Sequence, residues 1–120
     1  MAGIQKKTLD TPDERIEFAG LKADVVQIGD ASISRNRFEP GMHCALGGRT
    51  LKGNQRAEES CQAHHTGVLV EGMLRVEMDD GSTMDVGPNE VFNIPPGHDG
   101  WVVGDDPVIG INWSGVRTWL

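Results

Sequence analysis

CQAHHTGVLVEGMLRVEMDDGSTMDVGPNEVFNIPPGHDGW, residues 61–101, decides how the rest of the chain is read. Leu74, Val76 and Met78 alternate with Arg75, Glu77 and Asp79. That is the period of a strand with one face buried. Asp80-Gly81 is the residue pair favoured in a type I′ hairpin turn. The return strand then sets Met84 and Val86 on one side and Thr83 and Asp85 on the other. Gly87-Pro88-Asn89-Glu90 turns again, and Val91–Ile94 is a short strand stopped by Pro95-Pro96-Gly97. Two histidine-bearing segments flank this hairpin and hold three of the chain's four histidines. A hairpin brings such separated segments together, as a metal or polar-ligand site requires.

Working outward, Val68-Leu69-Val70 is a strand that leads into a turn at Glu71-Gly72. Strand signals upstream begin at Asp24, with VVQI (25–28), a turn at Gly29-Asp30 and a second strand over Ala31–Phe38. Residues 42–60 carry Gly47, Gly48 and Gly53 without a period-two pattern, and read as a long excursion or lid. Residues 1–22 are polar and weakly periodic, and read as an N-terminal arm ahead of one domain over 23–120. Downstream, Trp101-Val102-Val103 and Val108 to Trp113 are the last strands, joined through Gly104-Asp105-Asp106-Pro107. Short strands at this spacing, with Gly/Pro turns between them, predict an all-β antiparallel sandwich or barrel.

The 120 residues suit one domain with its own core. A net charge of −7 argues against nucleic acid or an anionic membrane as partner, since both reward a basic surface. No apolar run approaches the ~18 residues of a membrane span. MAGIQKKTLDTPDERIEF has no apolar h-region, so a cytoplasmic location is expected. A disulfide between Cys44 and Cys61 is not expected in that compartment.

Gly87-Pro88-Asn89-Glu90-Val91-Phe92-Asn93-Ile94-Pro95-Pro96-Gly97 closely follows a signature of the form G-x5-P-x-G-x2-H-x3-N. His98 follows Gly97 directly, whereas the signature's histidine falls at Gly100, and a turn shortened by two residues would restore it. A companion signature, G-x5-H-x-H-x3,4-E-x6-G, is degraded. With Gly72 as its last glycine, His65 stands at the glutamate, Cys61 at the second histidine and Glu59 at the first. Gly41 supplies the opening glycine if residues 42–60 are an insertion. Over residues 24–113 the chain resembles a small single-domain cupin, a double-stranded β-helix or jelly-roll barrel. The resemblance implies that His65 and His98 point into the barrel from adjacent strands and bind a divalent metal (Zn, Fe, Ni or Mn). It also implies a small polar molecule in the barrel and a homodimer, with the arm as a candidate contact.

The candidate metal ligands are His65, His98, Cys61 and His64. Imidazole is the commonest nitrogen ligand, and a thiolate with two imidazoles and water is a reasonable zinc shell. Cys61 reads equally well as a small buried hydrophobe. His64 has the opposite strand parity to His65 and enters the cavity only through a β-bulge. Glu59 is a weaker candidate, and His43 either closes over the site or is a solvated loop histidine. Asp99 either orients His98 or accepts backbone N–H bonds in its turn. Trp101 either floors a pocket or belongs to the core. Arg35 and Arg37 share one face of a strand; facing inward they would bind a carboxylate, and an outer, solvated face is the simpler reading. No G-x-S-x-G or P-loop is present. Cys61 with His65 would serve as nucleophile and base only beside an oxyanion hole that nothing in the sequence marks.

These readings lead to a metal-binding cupin with a small polar ligand, a metal-dependent enzyme if a coordination position stays open. A non-catalytic small-molecule binding or sensory module is the alternative, which the degraded first signature favours. An inert structural protein would have a filled barrel.

Overall fold

The computed structural model describes residues 3–18, 20–43, 60–114 and 116. Nine strands run through them: β1 (Glu14–Phe18), β2 (Leu21–Ile28), β3 (Ala31–Phe38), β4 (His65–Glu71), β5 (Leu74–Met78), β6 (Thr83–Val86), β7 (Val91–Ile94), β8 (His98–Val102) and β9 (Val108–Ser114). Among the described residues there is no helix long and apolar enough to cross a membrane. The strands form a six-stranded sheet, β1-β2-β3-β9-β4-β7, and a three-stranded sheet, β6-β5-β8. Every pairing is antiparallel. The all-β class expected from the turn spacing is what the chain adopts.

The central hairpin pairs Leu74 with Val86 and Val76 with Met84, the register its alternation predicts. Its turn differs from the expected type I′. Gly81 N donates to Met78 O at 2.9 Å, and Met78 N donates to Ser82 O at 2.8 Å. Only Gly81 in this loop is left-handed, with φ of 88°. This is a type I turn followed by a left-handed glycine, so Asp80 keeps ordinary backbone angles. Asp80 instead accepts from the Ser82 N–H and hydroxyl. At the next turn Asn89 takes φ of 68°, the conformation glycine adopts most easily and asparagine tolerates.

The facing sheets enclose a core in two parts. Leu69, Val76, Val86, Phe92, Ile94, Val102 and Val108 form one, and Ile16, Leu21, Ala23, Val25, Met42 and Val116 the other. Phe38 packs against both. Full burial of such side chains contributes on the order of 1.5–3 kcal/mol each.

Four boundaries differ from the sequence expectations, one of them the start of β4 at His65 rather than Val68. The arm over 1–22 is in part strand: Glu14–Phe18 pairs with β2, Ile16 lying opposite Ala23 and buried. A five-residue edge strand with one buried apolar residue in its middle gives almost no periodic signal. The next strand begins at Leu21 rather than Asp24, because Asp24 and Val26 are buried on the outer face and break the alternation. β8 begins at His98 rather than Trp101, so the signature's last turn runs straight into strand. Of the excursion over 42–60, all but Met42, His43 and Ser60 lies outside the described residues, and so do Cys44 and Glu59.

Asp24 explains how the outer face holds a buried carboxylate. Arg15 Nε donates to one of its oxygens at 2.7 Å, and Arg35 Nη2 to the other at 3.0 Å. Arg35 also reaches Asp10 Oδ1 at 3.3 Å and Leu9 O at 3.2 Å, fastening residues 9–10 to the sheet. Arg37 pairs with Glu39 at 2.8 Å. Both arginines therefore lie on the outer face, the simpler of the two readings. Burial raises the Asp24 pKa, but the hydrogen bonds from Arg15 and Arg35 outweigh it and hold the carboxyl below its ordinary 3.8. A lowered native pKa stabilises the fold fully above the unfolded value, and the benefit fades as pH falls through the native one. Asp24→Asn is expected to cost about 2 kcal/mol at neutral pH, in line with losing charged hydrogen bonds. Urea titrations at a series of pH values will show that gap closing as pH falls below 3.8.

Candidate metal and ligand site

His65 opens β4, and the alternation of that strand turns His65, Gly67 and Leu69 inward. His98 opens β8 and faces inward with Gly100 and Val102. The two histidines lie on different sheets rather than on adjacent strands, and meet because the sheets close together at this end of the barrel. Their ring centroids are 5.3 Å apart at 73°. Cys61 is carried to them by backbone bonding. Its N–H donates to His98 O at 2.7 Å, and its carbonyl accepts from Gly97 N at 2.8 Å. Cys61 Sγ stands 3.8 Å from His65 Nε2. One donor atom from each of Cys61, His65 and His98 lies within 4.8 Å of the others. His65 and His98 are 4% and 1% exposed and Cys61 is half-buried.

His98 is oriented by its own turn. Its Nδ1 lies 2.8 Å from Pro95 O, a carbonyl that only accepts, so Nδ1 carries a proton and Nε2 is the nitrogen left to meet Cys61. A backbone carbonyl behind a histidine fixes tautomer and ring direction in the way metal sites use. Burial lowers the His98 pKa, but Cys61, the Pro95 carbonyl and the charge of Asp99 together raise it above its ordinary 6.5.

The other candidates fall elsewhere. His64 is exposed, and its Nε2 bonds Asn93 Oδ1 on β7. The register shift between Thr66 and Gly67 puts its extra residue, Trp113, on β9, so β4 keeps its alternation and His64 stays outward. Asp99 faces away from His98, and its Oδ2 is 2.7 Å from His43 Nδ1. His43 also stacks on Trp101, with centroids 5.2 Å apart at 27°. Trp101 lines the interior cavity while its outer side carries His43. The His43–Asp99 pair was not legible from residue order, because the whole excursion separates the two residues.

A cavity of about 40 Å³ lies beside both imidazoles. Phe38, Met42, Leu69, Phe92 and Trp101 supply much of its wall, and Asn112 is its polar wall member besides the two histidines. Asn112 was not singled out from the sequence, although Val108, Gly110 and Asn112 share the inward parity of β9. Gly67 makes room for it. A Cβ there would stand 2.2 Å from Ile111 O and 2.8 Å from both Asn112 Oδ1 and Phe92 Cζ.

Neither a protein-family model nor a curated protein sequence matches this chain. Solved structures do. KdgF from Halomonas sp. aligns with 99% of this chain and 100% of its own at TM-score 0.59 and 18% identity. A cupin-superfamily sugar phosphate isomerase from Silicibacter pomeroyi aligns with 90% of this chain and 73% of its own, at 0.59 and 17%. A cupin-2 domain protein from Rhodospirillum rubrum aligns with 91% of this chain and 65% of its own, at 0.54 and 16%. Likeness at these identities speaks to the fold.

Histidine NMR titration of the metal-free protein is expected to place His98 above 6.5, and Cys61→Ala to bring it down by removing the largest raising contact. A raised native pKa favours folding below the unfolded value and loses that benefit as pH rises through the native one. The Cys61→Ala effect on stability will therefore be largest at mildly acidic pH and shrink toward pH 8.

Proposed function

We propose that this chain, which has the jelly-roll cupin fold, holds a divalent metal ion through Cys61, His65 and His98 and offers it to a small molecule in the barrel. The observation that carries the reading is the convergence of a thiol and two buried imidazoles, one already fixed by a backbone carbonyl on its Nδ1. The donor set fits. A tetrahedral centre with ordinary zinc–sulfur and zinc–nitrogen bonds separates its donors by roughly 3.5 Å, near the 3.8 Å between Cys61 and His65. Three protein ligands leave a fourth position open, the arrangement of catalytic rather than structural sites. Imidazole-rich shells also suit Fe and Ni.

A metal bound there would supply Lewis-acid polarisation of a carbonyl, water or dioxygen. The chain's own part is to hold and orient. Pro95 O keeps His98 in one tautomer, and the Cys61–His98 backbone pair sets the thiol. Phe38, Leu69 and Phe92 keep bulk water from the cavity, where polar interactions then gain strength. A non-catalytic binding or sensory role is the second reading. It is favoured by the absence of any carboxylate from the donor cluster among the described residues. The cavity itself speaks against an inert, filled barrel.

Elemental mass spectrometry on untagged protein purified without chelator tests the site. Wild type is expected to carry near-stoichiometric metal. Cys61→Ser is expected to weaken retention by more than about 100-fold, beyond the usual cost of an outer-shell change, and His65→Ala with His98→Ala to abolish it. His64→Ala should retain metal fully. No metal in the wild type, even after adding Zn, Fe, Ni or Mn, would remove the proposal.

A further inference from the structure

Strand register sorts the inward side chains of the barrel into levels, of which the metal reading uses only the first. At that level His65 lies opposite Ile94 and His98 opposite Met78. Two residues deeper, roughly 7 Å along the strands, Gly67 lies opposite Phe92 and Gly100 opposite Val76. Two residues deeper again, Leu69 lies opposite Gly110 and Leu74 opposite Val102. The cavity of about 40 Å³ touches all three levels: His65 and His98 at the first, Val76 and Phe92 at the second, Leu69 and Leu74 at the third. Asn112 also lines it at the second level, but to one side. Its amide oxygen lies against Gly67, 2.8 Å from where a Cβ would stand. Imidazoles therefore occupy one end of the cavity and aliphatic side chains the other.

A space larger than one water is uncommon in a packed interior. Water settles in such a space only where two to four polar partners surround it, and apolar cavities stay dry and take up apolar guests. The side chains of Leu69, Leu74, Val76 and Phe92 offer dispersion contacts rather than hydrogen bonds. A hydroxyl or charged group set among them would lose its hydration without replacement. An alkyl group there gains both burial and contacts. Size is limited too. At about 10–15 Å³ per water-sized site, 40 Å³ admits roughly three non-hydrogen atoms.

We propose that the deep part of the barrel binds the alkyl end, about one to three carbons long, of a ligand whose polar end meets the metal site proposed above. Such a ligand is polar at one end only, and the barrel measures the length of the other. Its polar end rests on the metal reading. The alkyl site does not, because its walls belong to the protein with or without metal.

Methyl NMR of the metal-free protein, titrated with xenon and with ethane, reads the alkyl site alone. The Leu69, Leu74 and Val76 methyl signals are expected to shift saturably. Gly110→Ala serves as the variant that keeps the fold, because its methyl meets only ordinary contacts, Val68 O at 3.5 Å and Leu69 Cδ1 at 3.7 Å, while taking up the space. It is expected to weaken both guests by about tenfold or more. Leu69→Ala enlarges the deep end and is expected to move the preference from ethane toward butane. Zinc-loaded protein, titrated with acetate, propionate, butyrate and pentanoate, adds the polar end. Each methylene is expected to tighten binding roughly fourfold, a gain that stops at butyrate. The probe 3-hydroxypropionate ends in a hydroxyl where butyrate ends in a methyl, and should bind at least about tenfold more weakly than butyrate.

Saturable xenon and ethane shifts in metal-free protein, lost in Gly110→Ala, would uphold the alkyl site even if no metal ion is ever retained. Metal retention with no shift of these methyl signals would uphold the metal site and overturn the alkyl site. Shifts unchanged by Gly110→Ala, or 3-hydroxypropionate binding zinc-loaded protein as tightly as butyrate, would also overturn it.

Discussion

Three backbone hydrogen bonds between Cys61 and the Gly97–His98 turn hold the candidate site together. Cys61 precedes β4 of the six-stranded sheet, and His98 begins β8, an edge strand of the other sheet. A backbone bridge is far more directional than side-chain packing, and His43 with Trp101 supplies a second one three positions further along β8. With the Cys61 bridge, the thiol and both imidazoles are delivered by main-chain geometry, so their spacing does not depend on the rotamers of long side chains. The short turn that places His98 directly after Gly97 belongs to the same arrangement. Gly97 takes φ of 91°, and its N–H is one of the two donors to the Cys61 carbonyl segment.

The interior beyond this bridge divides by chemistry. One sheet face supplies Phe38, Leu69 and Phe92 around the imidazoles; the same face supplies Ser34, Asn36 and Asn112 a row away. Glycines at 67, 100 and 110 keep side chains out of the space between them. Burying three polar residues among two apolar clusters works against stability, and a sequence selected for packing alone would have filled these positions. The outer face follows the opposite rule. Asp24 is buried there, yet both its oxygens are met by guanidinium groups that remain partly in water, so no charge is stranded.

Much of this was legible in the sequence, for identifiable reasons. The β5–β6 hairpin and the Ala31–Phe38 strand declare themselves through alternation, although on the hairpin the apolar face is buried at Val76 and Val86 while Met84 stays exposed. His65 and His98 were legible through signature spacing, and Cys61 through its offset of four from His65. What was illegible depended on partners remote in sequence. Asp24 hides its strand because Arg15 and Arg35 make a carboxylate tolerable where an apolar residue is expected. β1 hides because an edge strand of five residues needs only one buried side chain. Asp80 looked like a left-handed turn residue, but the ladder closes one position later and gives that conformation to Gly81 alone. Asn112 was overlooked because an asparagine on an inward parity position looks like an exception until Gly67 across from it is seen to clear its space.

The attachment of both ends of the excursion has a consequence for how such a chain can change over time. His43 bridges to Trp101 and Cys61 to His98, so the chain leaves and rejoins the barrel at points three positions apart on one strand, roughly 10 Å. Closing a loop between fixed ends costs free energy that grows only with the logarithm of its length, about 0.6 kcal/mol per doubling. Changing the length of the segment between these two anchors, residues 44–59, therefore adds little to the cost of closing it. Two short backbone bridges let the described barrel tolerate insertion or deletion between them without moving either anchor.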